Sequence, residues 1–159
     1  MIRPRKEDGY TLNELMIVIA IIGVLSFPEM GQVRTSAKLT GVQANYRSVT
    51  TALCGLQATD DVATKLTSLF GNSVSPNVED MTNPITNKMG VATVAALTDE
   101  PIAAVYVLDE TVTTVPSGVE QSEYKGAVVA IVQADNSIVV YGCDEIGRSM
   151  TGLQMTIQQ

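Results

Sequence analysis

The chain lacks histidine and tryptophan altogether, and it has only two cysteines and two phenylalanines among its 159 residues. Without histidine it cannot form the nucleophile and base pair of Ser-His-Asp or Cys-His enzymes, nor the common histidine-containing zinc sites. No other convergent arrangement of nucleophile, base and oxyanion donors is visible in the sequence. We therefore predict that the protein is not an enzyme and that it holds no cofactor and no metal ion.

Basic residues are also few, with ten Lys and Arg against seventeen Asp and Glu, which gives a net charge of −7. Tight binding to a nucleic-acid backbone needs clustered Lys and Arg, because the affinity comes from counterion release. Beyond the first few residues, the basic side chains of this chain are scattered. We expect no tight nucleic-acid binding by the monomer.

A long apolar run lies near the N-terminus. From Leu15 to Pro28 there is no charge, and nearly every residue before Ser26 is aliphatic. A helix from Tyr10 to Phe27 would be roughly 27 Å long, close to the hydrocarbon thickness of a bilayer. The sequence predicts a membrane-spanning helix over residues 10–27, with the basic leader in the cytoplasm and the C-terminal bulk outside.

Glu14 lies inside this apolar segment, where a lone carboxylate in lipid costs a few kcal/mol or becomes neutral. One interpretation is that it marks the membrane edge near the positive helix N-terminus. The other requires removal of residues 1–9. The new α-amino group of Tyr10 would then pair with Glu14 of a neighbouring copy and fix the axial register of a bundle of apolar helices.

Residues 9–25, GYTLNELMIVIAIIGVL, resemble the N-terminus of a type IV prepilin. The shared features are a short basic leader that ends in glycine, an aromatic first mature residue and a glutamate four residues later. The chain departs from the usual pattern in three ways. Tyr10 stands where phenylalanine is commoner, Asn13 stands where an aliphatic residue is commoner, and Pro28 comes a few residues before the usual helix proline.

This resemblance implies cleavage between Gly9 and Tyr10 by a prepilin peptidase, N-methylation of Tyr10, and assembly into a helical homopolymer through Tyr10 and Glu14. An assembly platform protein and an ATPase would be further partners. The subunit would wait in the cytoplasmic membrane as a single-pass protein and end in an extracellular pilus that serves adhesion, motility or DNA uptake. A type II secretion or competence pseudopilin is one alternative. A membrane-tethered binding domain that never polymerises is another, from a different class.

Three segments are expected: a cleaved leader over residues 1–9, the hydrophobic helix over residues 10–27, and a globular head over residues 28–159. An apolar stripe predicts that the helix continues as an amphipathic one to Leu56; it consists of Leu39, Val42, Tyr46, Val49, Leu53 and Leu56. Gly23 and Pro28 lie within that single helix, where a kink is predicted and a gentle curve is the alternative.

Alternating apolar residues predict strands over residues 91–97, 102–108, 112–115, 127–133 and 138–143, and an edge strand over residues 150–157. The run from 134 to 137 predicts a hairpin turn, and the run Thr59-Asp60-Asp61 predicts the N-cap of a short helix. The expected fold class is α+β. In the pilin fold that the resemblance implies, the C-terminal half of one long helix packs on an antiparallel sheet.

The two cysteines allow one bridge. Cys54 comes near the end of the predicted long helix and Cys143 at the end of a predicted strand. In an extracytoplasmic domain an even count favours a disulfide, which would tie the helix to the sheet and stabilise the fold by about 4–5 kcal/mol in the chain-entropy model. The alternative is a pair of buried thiols that act as small hydrophobic side chains.

Overall fold

The computed structural model describes residues 9–26, 30–57, 60–93, 100–112 and 115–158. The chain divides into two compact units, residues 1–34 and residues 35–159. Helix α1, Leu12–Leu25, lies in the first unit. Helix α2, Met30–Cys54, begins in the first unit and continues into the second. The second unit also contains helix α3, Val62–Phe70, and the sheet.

The sheet has five strands whose spatial order follows the chain: β1 Val91–Thr93, β2 Val105–Asp109, β3 Val128–Val132, β4 Ile138–Cys143 and β5 Ser149–Ile157. β1 pairs with β2, and β2 with β3, in parallel. β3 pairs with β4, and β4 with β5, antiparallel. A short 3₁₀ helix, Ser122–Tyr124, precedes β3. The sheet is therefore mixed, and the predicted antiparallel sheet is wrong.

The long connections between β1, β2 and β3 permit parallel pairing. Residues 94–104 separate β1 from β2, and residues 110–127 separate β2 from β3, so neither pair is joined by a tight hairpin. Residues 134–137 form the predicted hairpin turn between β3 and β4, and Asn136 in this turn has a positive φ of 63°. Val112 and Val115, the two described residues of the strand predicted over residues 112–115, are not in a strand. Residues 113–114 lie outside the described ranges.

The single helix predicted from Tyr10 to Leu56 is also wrong. α1 ends at Leu25, and both the N–H (3.0 Å) and the hydroxyl (2.7 Å) of Ser26 donate to the carbonyl of Ile22. α2 starts separately at Met30. Pro28 lies outside the described residues, and its lack of an N–H removes a donor that a continuous helix would need. α1 runs through Gly23, the other predicted kink position.

Where a spanning helix was predicted over residues 10–27, α1 covers 14 residues. In the part of the chain that the structure describes, no helix combines the length and the apolarity needed to cross a membrane.

The apolar stripe of α2 is confirmed. Val42, Tyr46, Val49 and Leu53 are buried, and Leu39 and Leu56 at its ends are half-buried. Tyr46, Val49 and Leu53 belong to a core that includes one face of the sheet. This face is formed by Val105, Val107, Val128, Ala130, Ile138 and Val140. Alternate residues of the same strands point to the opposite face. A second core forms there around Tyr106 and Tyr124, whose rings meet edge to face at 5.5 Å.

Asn83 fastens the loop between α3 and β1 to the segment that leads into β3. Its side chain is fully buried, and its amide nitrogen donates to the carbonyl of Lys125 at 2.8 Å. Its Oδ1 accepts from the N–H groups of Ile85 (2.9 Å) and Thr86 (3.1 Å). One polar side chain thus satisfies both its own groups and the backbone of the loop, as buried polar groups require.

Candidate assembly site on the N-terminal helix

The start of α1 is closed by a capping box. Thr11 is the N-cap, and its hydroxyl oxygen accepts from the N–H of Glu14 at 3.2 Å. In return the carboxylate of Glu14 accepts from the N–H and from the hydroxyl of Thr11, both at 2.8 Å. This reciprocal bonding satisfies donors that the first turn of a helix otherwise leaves unpaired. It fixes Glu14 at the N-terminal end of the apolar helix.

The capping box also sets the charge state of Glu14. The hydrogen bond from the Thr11 N–H, followed by that from the Thr11 hydroxyl, lowers the pKa of the Glu14 carboxyl below its ordinary value. The side chain is exposed, so the carboxylate is ionised in water at neutral pH. Both bonds from Thr11 reach the same oxygen, Oε2. Among the described residues nothing donates to the other oxygen, Oε1, and it is open to an external donor.

The rest of α1 is an unpaired apolar surface. None of its residues is buried, and exposed aliphatic side chains lie on every side of the helix. Ile17, Ile21, Val24 and Leu25 line an apolar depression of about 370 Å³ on one face. A surface of this kind on one isolated chain indicates contact with other molecules.

Gly9 and Tyr10 precede the N-cap in an exposed segment without regular secondary structure. The Tyr10 side chain is 88% exposed, and nothing lies within 4 Å of the position where Gly9 would carry a Cβ. The peptide bond between them, the predicted cleavage site, is therefore accessible outside the helix. Tyr10 and Glu14 form no hydrogen bond within this chain, where the α-nitrogen of Tyr10 is still part of a peptide bond.

Thr11 is the site residue that the sequence reasoning missed. The pattern Thr-x-x-Glu at positions 11–14, directly before an apolar run, is a known signature of a helix start and could have identified it.

The structure does not bring Cys54 and Cys143 together. Both are free thiols, which corrects the predicted disulfide. Cys54 is exposed, next to the buried Leu53, so its side chain points away from the sheet. Cys143 is buried in the second core, on the sheet face opposite α2, and this burial raises the pKa of its thiol. The sheet thus lies between the two sulfur atoms.

Over the described ranges, no three His, Cys, Asp or Glu side chains cluster in a way that could hold a metal ion. Among known proteins, no family model matches the chain, and neither a curated protein nor a solved structure does.

Proposed function

We propose that this chain is a structural subunit of a type IV pilus filament, cleaved after Gly9 and polymerised through α1. One observation carries the proposal: α1 is an aliphatic helix with no buried residue in the isolated chain. Water disfavours such a surface strongly, because apolar area costs about 25 cal/mol per Å² when exposed. Packing α1 against the α1 helices of other copies would remove it from water.

Glu14 supports the same proposal through its geometry. Thr11 holds one carboxylate oxygen, and the other is available to accept from a cation. Cleavage after Gly9 would create that cation at the α-amino group of Tyr10. A bond from Tyr10 of one copy to Glu14 of the next would set the axial register of the helices, while apolar burial would supply most of the association energy.

The proposal includes location and partners. The chain would be held at the cytoplasmic membrane before assembly, with the apolar surface of α1 as the part that meets lipid, and would be part of an extracellular filament afterwards. A prepilin peptidase, an assembly ATPase and a platform protein would process and extrude it. The proposal rests on residues 9–25, and the mixed sheet has no part in it. The same residues would serve a secretion or competence pseudopilin, which forms short filaments instead of long surface fibres.

The test uses cells that make Glu14→Ala or Glu79→Ala chains, the second being a control at an exposed acid outside α1. Filaments sheared from the surface are quantified, and their N-terminal peptide is sequenced by mass spectrometry. We expect methylated Tyr10 as the first residue of the native chain. We expect Glu14→Ala to be cleaved normally but to give at least tenfold fewer filaments, with Glu79→Ala unchanged. A native chain that always begins at Met1 and stays in the cell would contradict the proposal.

A further inference from the structure

The two edges of the sheet are protected to different degrees. β1 has only three residues, and the loop before it bonds to its outer side: Ser73 donates to the Val91 carbonyl at 3.1 Å, and Val91 donates to the Gly71 carbonyl at 3.0 Å. β5 has nine residues and has β4 as its one partner strand. At its start a loop bonds to the side away from β4, where the Ser149 N–H donates to the Ser117 carbonyl at 2.9 Å. No other described strand lies on its outer side. Unpaired N–H and C=O groups on such an edge are a template for another strand.

Beyond its first residues, β5 also lacks the features by which proteins usually block an open edge. Between Ser149 and Gln158 there is no charged residue and no proline. Its one irregularity is near its start, where Gly152 has a φ of 85° and the register with β4 shifts. From residue 154 to residue 157 the strand pairs regularly with residues 138–141. The edge over residues 153–157 carries no charged residue and no proline.

The side chains of this edge form two rows. Leu153 and Ile157 pack against the core on the face that α2 covers, and the half-exposed Met155 lies between them in the same row. Gln154 and Thr156 are exposed on the opposite face. One row is therefore apolar and the other is neutral and polar.

We propose that this edge binds the same edge of a second copy of the chain, antiparallel and centred on Met155. In this register Leu153 faces Ile157 of the other copy, Gln154 faces Thr156, and Met155 faces itself. The apolar rows then continue across the contact, and so do the polar rows. Side chains that face each other in this way across two antiparallel strands stabilise the pairing.

The occupant is a second copy because the segment is neutral in a chain of net charge −7. A strand without charge offers no attraction to a charged partner strand, whereas two copies meet here without charge opposing charge. The contact is two-fold symmetric and does not use α1. It therefore goes beyond the proposed filament core and would join two subunits, or two filaments, side by side.

The first experiment is disulfide trapping in the full-length chain with Cys54→Ser, kept in mild detergent so that α1 is covered. Met155→Cys would place two Cβ atoms about 5 Å apart across the contact. The control, Thr151→Cys, is exposed on the same strand, but its two copies would be roughly 26 Å apart. After mild oxidation we expect at least tenfold more covalent dimer for Met155→Cys. Equal yields, or more dimer for Thr151→Cys, would overturn the proposal.

The second experiment changes only the exposed polar row in the Met155→Cys chain. Gln154→Lys with Thr156→Lys places like charges opposite each other in the proposed register, and Gln154→Glu with Thr156→Lys places opposite charges there. We expect the first pair to lower the covalent dimer at least fivefold and the second to keep it. Loss in both, or in neither, would overturn the register. Adding Glu14→Ala should leave the dimer unchanged, so failure here is separable from failure of the filament proposal.

Discussion

At the scale of single residues, the capping box gives Glu14 two functions. It closes α1, and it keeps a carboxylate ionised at the end of an apolar helix. Because the folded-state pKa of Glu14 is lowered, its contribution to helix stability is fully present above its ordinary pKa. That contribution is lost as the pH falls through the lowered value. At neutral pH the side chain is therefore in the form that can accept from an ammonium group.

Asn83 allows a residue-scale prediction. Asn83→Ala removes the acceptor for Ile85 and Thr86 and the donor to Lys125 in a fully buried position. We expect the free energy of unfolding to fall by about 2–4 kcal/mol, because buried groups without partners cost about 1–3 kcal/mol each. Urea denaturation measures it. The control Asn77→Ala, at an exposed position in the same loop, should change stability by less than about 0.5 kcal/mol. Equal midpoints for the two variants would show that the buried amide does not fasten the loop.

At the scale of elements, the sequence predicts what depends on local pattern. The spacing of Val42, Tyr46, Val49 and Leu53 predicted the buried face of α2, and the turn at Ala134–Ser137 predicted the β3–β4 hairpin. Strand β5 was also predicted correctly, and the N-cap of α3, Asp61, lies within the predicted run of residues 59–61.

What failed depends on contacts between distant residues. Alternation identifies the residues of β1, β2 and β3 but carries no information on strand direction, so their parallel order could not be read from it. The same holds for the cysteines, because their separation is decided by which face of the sheet each occupies. The end of α1 at Leu25 was missed because the apolar pattern was extended past Ser26, whose hydroxyl bonds back to Ile22.

Two consecutive residues at the end of α2 test its packing on the sheet. Leu53 is fully buried, and we expect Leu53→Ala to lower the free energy of unfolding by about 2–5 kcal/mol through the cavity it leaves. Cys54 is exposed and unbonded, so Cys54→Ser should stay within about 0.5 kcal/mol of the native chain. Thermal unfolding of the native chain and of both variants, each with and without reductant, measures these changes. A lower melting temperature in reductant would mean that Cys54 and Cys143 are bonded after all.

At the scale of the whole molecule, the two units obtain their stability from different sources. Residues 35–159 contain both apolar cores and the whole sheet. In the first unit, α1 buries no residue in the isolated chain. Folding stability is therefore concentrated in the second unit, while the apolar surface of the first is left for association. A chain arranged in this way can keep its head folded before and after assembly.

This division predicts the behaviour of a chain shortened to residues 35–159. Gly31–Arg34 at the start of α2 are exposed, and Thr35 is a suitable residue to cap the shortened helix. We expect the shortened chain to be soluble without detergent and to unfold within about 1 kcal/mol of the full-length chain in urea, since removed surface residues contribute little. It should form no filament. If it unfolded or precipitated, α1 would have to be part of the core of the head, and its exposed apolar surface would no longer be available for assembly.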